Sequence, residues 1–146
     1  MKAFHHCARP HQDIMDGKFS MEVYAAKLAD VYRKENCPEE YLDPKMFFSR
    51  TFFTESFEKI LKDVEDKLKG DTKKNSFNNI QTPFGGGKTH SLIGLLHKAN
   101  EWNAKVVVLD GRELDPNKQT FWGEIEQQLN GKIEKLDGQV PHGAIQ

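Results

Sequence analysis

Net charge, cysteine and long apolar runs are all scarce in this chain, and each scarcity removes a class of function. A formal charge of −1 at pH 7 gives no global pull toward nucleic acid or an anionic membrane. The basic stretch "KLKGDTKK", with Lys67, Lys69, Lys73 and Lys74, reads as a solvated helix end and loop. Cys7 and Cys37 have no framework spacing and are expected to be reduced thiols. No apolar run approaches the ~18 residues of a membrane span. The opening "MKAFHHCARP" lacks the apolar core and cleavage site of a secretory signal, so the expected compartment is the cytoplasm, with no membrane partner. "HHCARPH" offers His5, His6, Cys7 and His11. Zinc sites usually pair ligands at two separated places, and no second cluster answers this one, so irregular structure is expected there.

What is present is one domain's worth of chain, 146 residues with ten Phe, enough to bury a core. Residues 1–19 read as irregular. From Ser20 a helix is expected, capped by the Ser20 hydroxyl and carrying Met21, Tyr24, Leu28, Val31 and Tyr32 at helical spacing until Cys37-Pro38 stops it. "YLDPKMFFSRTFF" reads as a connector. Thr54 then caps a second helix with Phe57, Ile60, Leu61, Val64 and Leu68 on one face and Gly70 at its end. Its "DVED", Asp63 to Asp66, is by default a solvated face. "FNNIQT" reads as a strand, weak because only Phe77 and Ile80 are apolar. A helix from Thr89 to Ala99 should turn Leu92, Ile93, Leu95 and Leu96 inward. "KVVVLD", residues 105–110, is the best strand, β-branched and apolar as if covered on both faces. A last helix carries Phe121, Trp122, Ile125 and Leu129 and stops at Asn130-Gly131. These elements predict an α/β fold: a helical N-terminal segment over 1–75, then an incomplete P-loop core with parallel strands and helices over 76–146.

"TPFGGGKTH", Thr82 to His90, carries the chemistry. Against the phosphate-binding pattern G-x-x-x-x-G-K-[ST] it supplies Gly87, Lys88 and Thr89, with Thr82 where the first glycine belongs. Backbone amides of a glycine turn and the positive end of the following helix can meet phosphate charge without side-chain bulk. Lys88 can place its ammonium near the terminal phosphates, and the Thr89 hydroxyl can ligate Mg2+. Pro83 favours an extended Thr82, so the missing glycine need not break the turn. The competing reading is a flexible surface turn ahead of a helix that begins Lys-Thr.

"FGGGKTH", "LIGLLHKA", "VVVLDG" and "FWGEIEQQLNG", with "FFSRTFFTESFEKILKDVEDKLKG" upstream, resemble the large bacterial and archaeal predicted ATPases of the P-loop AAA+ type that share the domain of unknown function numbered four-nine-nine. The resemblance covers roughly residues 10 to 135 and corresponds to the N-terminal part of those long proteins, some of which occur in phage-defence gene clusters. It implies ATP and Mg2+ as cofactors. The nucleotide-binding positions it implies are Thr82, Phe84, Gly85, Gly86, Gly87, Lys88, Thr89 and His90, with Thr89 as the metal ligand; His90 itself is expected to face solvent. Family members have a Thr at the position of Thr82.

A P-loop ATPase also needs an acidic pair at a second strand end. Asp110 in "VVVLDGRE" imitates it, but Gly111 follows rather than Glu, and Asp110 reads as a turn residue. The residues after Thr89 supply one clear strand, so the expected picture is the N-terminal piece of a longer ATPase that lacks hydrolysis alone. Nucleotide binding would then drive a conformational change in a homo-oligomer or a larger assembly. The rival from another class is a non-catalytic interaction or structural fragment with a vestigial loop. A small P-loop kinase is less favoured, because nothing after Thr89 resembles a lid or acceptor site.

Overall fold

A computed structural model describes residues 8, 10, 12–17, 26–83, 85–112, 114 and 120–132. Its helices are α1 (Gln12–Met15), α2 (Leu28–Arg33), α3 (Glu39–Leu42), α4 (Pro44–Ser49), α5 (Glu55–Leu68), α6 (Lys88–Glu101) and α7 (Phe121–Asn130). α6 is the hub and packs against α2, α4 and α5. A helix flanked on three sides needs apolar or small residues around much of its circumference. Ile93, Gly94, His97 and Ala99 are accordingly buried, Ile93 completely. Ile93 joins Val31 of α2 and Phe47 of α4 in the core, ringed by Leu28, Tyr41, Leu42, Phe48 and Leu96. Gly94 admits the Phe57 ring, which sits where a Cβ at residue 94 would project.

Helix starts follow local capping chemistry. Thr54 accepts a hydrogen bond from the Phe57 amide at 3.2 Å, and Thr120 accepts one from Gly123 at 3.0 Å, each satisfying an otherwise orphaned donor. α5 runs into Gly70 (φ 97), and α7 stops at Gly131 in the left-handed region (φ 76), where a side chain would be strained. α5 presents Phe57 and Leu61 to the core as its spacing predicts, whereas Leu68 stays half exposed. The lysines after it are surface residues: Lys69 pairs with Glu65, and Lys74 with Asp63 and Asp66.

Three expectations are overturned. The α/β core with parallel strands is not formed: every regular element among the described residues is helical. "FNNIQT" is largely solvent-exposed, with Phe77 80% exposed. Residues 105–110 are irregular in the absence of a neighbouring strand, and side chains satisfy part of their backbone instead. The Gln128 amide grips Val108 from both ends, its Oε1 accepting from Val108 N and its Nε2 donating to Val108 O, each at 2.9 Å. The Tyr32 hydroxyl donates to Val106 O at 3.1 Å. A β-rich composition makes a strand only when another backbone offers a ladder, and none of the described segments does.

Second, the helix expected from Ser20 does not run through to Cys37. Ser20 lies outside the described residues, Lys27 is extended at the start of α2, and Lys34 (φ 59) ends that helix before Cys37-Pro38. Third, the connector "YLDPKMFFSRTFF" contains the second half of α3 and all of α4. The Asp43 carboxylate accepts from the amides of Lys45 and Met46 at 2.7 and 3.1 Å, and Pro44 begins α4 with its φ already helical.

Candidate functional site

Each glycine in the loop before α6 has its own reason to be glycine. Gly85 and Gly87 both have φ 77, the left-handed region that other residues enter at a cost. Gly86 is excluded from bearing a side chain by proximity. A Cβ there would lie 2.6 Å from both Cβ and Oγ1 of Thr82 and 3.0 Å from Pro83 O. The Gly86 amide closes the turn by donating to Pro83 O at 3.1 Å. Thr82, standing where the pattern has glycine, is the residue the loop wraps around.

The chain then enters α6 with its donors unspent. The first bond of the helix runs from Ser91 N to Gly87 O at 2.9 Å, so the amides of Lys88, Thr89 and His90 precede any intrahelical partner. No side chain caps this end and its first turn has no acidic residue. α5 and α7, the other long helices described, each have a Thr cap and an acidic first turn. A helix N-terminus carries about half a positive charge, and a lysine beside it costs about 0.3–1 kcal/mol through like-charge repulsion. The head of α6 is therefore electropositive, with neither a cap nor an acidic side chain to offset it.

Around that end the side chains are organised. The Lys88 ammonium donates to Thr82 O at 2.8 Å, Thr82 Oγ1 at 3.1 Å and Pro83 O at 3.1 Å, tying the helix start back to the beginning of the loop. The next residue, Thr89, is exposed, and its hydroxyl has no protein partner among the described residues, whereas Ser91 Oγ bonds back to Gly87 O. His90 does not face solvent as expected. It is half-buried, stacked on Phe47 with centroids 4.5 Å apart, and its Nε2 lies 2.9 Å from Thr51 Oγ1. The Thr51 hydroxyl spends its own hydrogen on Phe47 O at 2.7 Å, so the His90 Nε2–H must donate, leaving Nδ1 as the acceptor of the neutral ring. Burial holds the His90 pKa below its ordinary value, which favours that neutral form.

These groups share a cavity of about 450 Å³ lined by the three glycines, Lys88, Thr89 and His90 together with Ala26, Tyr41 and Ile93. The structure thus brings together Thr82, Gly85, Gly86, Gly87, Lys88, Thr89 and His90 at one helix end. Phe84 lies outside the described residues, as do His5, His6, Cys7 and His11. No group of His, Cys, Asp and Glu able to hold a metal occurs among the described residues.

Asp110 takes the turn role expected of it. Its carboxylate accepts from the Arg112 amide at 3.0 Å and from the Arg112 guanidinium at 3.1 and 2.8 Å. The Arg112 side chain first, then its backbone amide, holds the Asp110 pKa down to about 2. Sequence reasoning missed Tyr41 and Thr51. Both come from the stretch read as a connector; Asp43-Pro44, an N-cap followed by proline at the first helical position, is the local signal that could have placed a helix there.

A helical domain whose central helix opens on an uncapped glycine loop is the class that fold and site define. The chain belongs to the DUF499 N-terminal domain family, whose model matches residues 1–127. No curated protein and no solved structure matches it. No helix among the described residues is long and apolar enough to cross a membrane.

Proposed function

We propose that this domain binds the polyphosphate of a nucleotide, ATP with Mg2+, at the glycine loop, as a module of a larger protein. The supporting observation is the head of α6: three orphaned amides, no cap, no acidic neighbour and a lysine in the first turn. Such an end is destabilising alone and becomes favourable once an anion with several acceptor oxygens fills it. The Lys88, Thr89 and His90 amides would donate to phosphate oxygens and the Lys88 ammonium would balance their charge. The Thr89 hydroxyl fits the Mg2+ role by being exposed and uncommitted. Bound ATP supplies the polyphosphate charge, and Mg2+ offsets part of it. The contact of His90 with Thr51 and Phe47 gives the loop a direct connection to α4, the element through which occupancy would be felt in the helical part. Hydrolysis would require an acidic group from elsewhere, since Asp110 is held by Arg112.

The second reading, a non-catalytic interaction piece, is favoured by a different feature. An apolar groove of about 340 Å³ runs along Val64, Leu68, Leu92, Leu95, Trp102 and Val106–Val108. Calorimetric titration with MgATP separates the two. Saturable binding in the wild type that is lost in Lys88→Ala supports the nucleotide module. Absence of binding at millimolar MgATP defeats it and leaves the interaction piece.

A further inference from the structure

The anomaly of the loop is Thr82, and its contacts account for it. An ammonium has three N–H bonds, and Lys88 spends all three on two neighbouring residues: Thr82 O, Thr82 Oγ1 and Pro83 O. Two of these acceptors are carbonyls that any residue would provide. The third is a hydroxyl that glycine could not provide. The Thr82 hydroxyl keeps its own hydrogen for Pro83 O at 3.2 Å, so its lone pairs remain turned to the lysine. The same side chain fills the space beside Gly86 that a Cβ would need. We propose that Thr82 is a positioning residue: its hydroxyl holds the Lys88 ammonium in place over the glycine loop, replacing the conformational role of the missing glycine with a side-chain tether.

The physical basis is preorganisation. Lys88 is exposed, and a lysine's four-carbon stem is costly to immobilise when a ligand must do it. Held at three points before the ligand arrives, the ammonium presents its charge without that cost. Held at two, it regains rotamer freedom and contact with water. Thr82→Val is close to isosteric and keeps the branched Cβ beside Gly86, so it removes the hydroxyl while leaving the packing. Thr82→Ser restores the hydroxyl and removes only a methyl.

This inference rests on the phosphate-binding reading, and two measurements keep their failures apart. The first needs no ligand: the rate at which Lys88 is acylated by an amine-reactive ester, followed by peptide mass spectrometry with Lys98 as internal reference. Thr82→Val should raise the Lys88 rate about fivefold, the worth of one exposed charge-assisted hydrogen bond, while Thr82→Ser should react as the wild type does. Equal rates in wild type and Thr82→Val overturn the tether and leave phosphate binding standing.

The second is titration with magnesium tripolyphosphate. Thr82→Val should bind about fivefold more weakly than wild type, Thr82→Ser within about twofold, and Thr82→Val should have no further effect in a Lys88→Met background. An equal loss in both backgrounds means that Thr82 acts on loop shape rather than through the lysine, and overturns the proposal. A wild type that binds no tripolyphosphate overturns the phosphate reading, and the positioning role with it.

Discussion

Replacing Gly94 by alanine tests the packing that sets where α6, and therefore the glycine loop at its head, lies. A Cβ at residue 94 would come 2.4 Å from Phe57 Cζ and 3.1 Å from Phe57 Cε2, with Phe47 Cε1 at 3.5 Å. Ordinary carbon contacts begin near 3.4 Å, so the Phe57 ring or the whole of α5 must retreat by about 1 Å. The ring has little room to do so, because Phe57 is buried and the Phe53 ring lies 5.6 Å from it. Overpacking of this kind costs about 1–3 kcal/mol. Alanine's better helix propensity returns about 1 kcal/mol, leaving a net loss of about 0–2 kcal/mol. At about 3–4 °C per kcal/mol for a chain of this size, the midpoint of thermal unfolding should fall by up to about 8 °C rather than rise. Phe57→Leu shortens the obstructing ring, so the double variant should be more stable than the two single losses predict, by about 1 kcal/mol in a double-mutant cycle. Gly111→Ala, whose Cβ would meet nothing within 4 Å, is the neutral control. Strict additivity, or a Gly94→Ala protein stabilised by the full propensity gain, would refute the account of how α5 seats α6.

Gln128→Leu should leave the half-buried Val108 N–H and C=O unpaired at a cost of about 1–3 kcal/mol; hydrogen exchange at the Val108 amide should accelerate, and unchanged exchange would show that the Gln128 grip is dispensable. Thr54→Ala and Thr120→Ala should each cost about 1 kcal/mol in urea unfolding through loss of a helix cap, a result missed if both melt as the wild type does. His90 and His97 both have pKa values lowered chiefly by burial, so the unfolded chain binds more protons than the folded one as the medium acidifies. Their contribution to stability is complete above the ordinary value of 6.5 and is lost as pH falls through the lowered folded values. The urea midpoint should therefore drop as pH falls below about 6.5, less steeply in His90→Gln; parallel curves would remove His90 from the explanation.

How much was legible in advance depended on the range of the interactions involved. α5 was readable because its cap, its apolar stripe and its closing glycine all lie within one stretch of chain. α7 was readable from its apolar spacing and its Asn130-Gly131 stop, yet neither its Thr120 cap nor its burial was: Phe121 and Leu129 are 49% and 39% exposed, while Gly123 and Glu126 are buried. Periodicity reports which residues share a face and leaves open what that face meets. The segment 105–110 shows the limit most clearly. Its β-branched residues favour an extended backbone, but whether that becomes a strand depends on a partner, and Gln128 and Tyr32 occupy part of its backbone instead.

By itself, the order of residues settled the family, the triple glycine ahead of a helix, the capped helix α5 and the Asn130-Gly131 end of α7, because each is written in neighbours a few positions apart. Only the tertiary structure decided that the described chain is helical without a sheet, that α6 is the hub and that His90 turns inward to Thr51 and Phe47. It also decided that Thr82 stands against Gly86 and Lys88. Those outcomes depend on segments meeting across long separations, as Tyr32 meets Val106 and Thr51 meets His90, and such meetings are selected by packing and hydrogen-bond satisfaction in three dimensions rather than by local propensity.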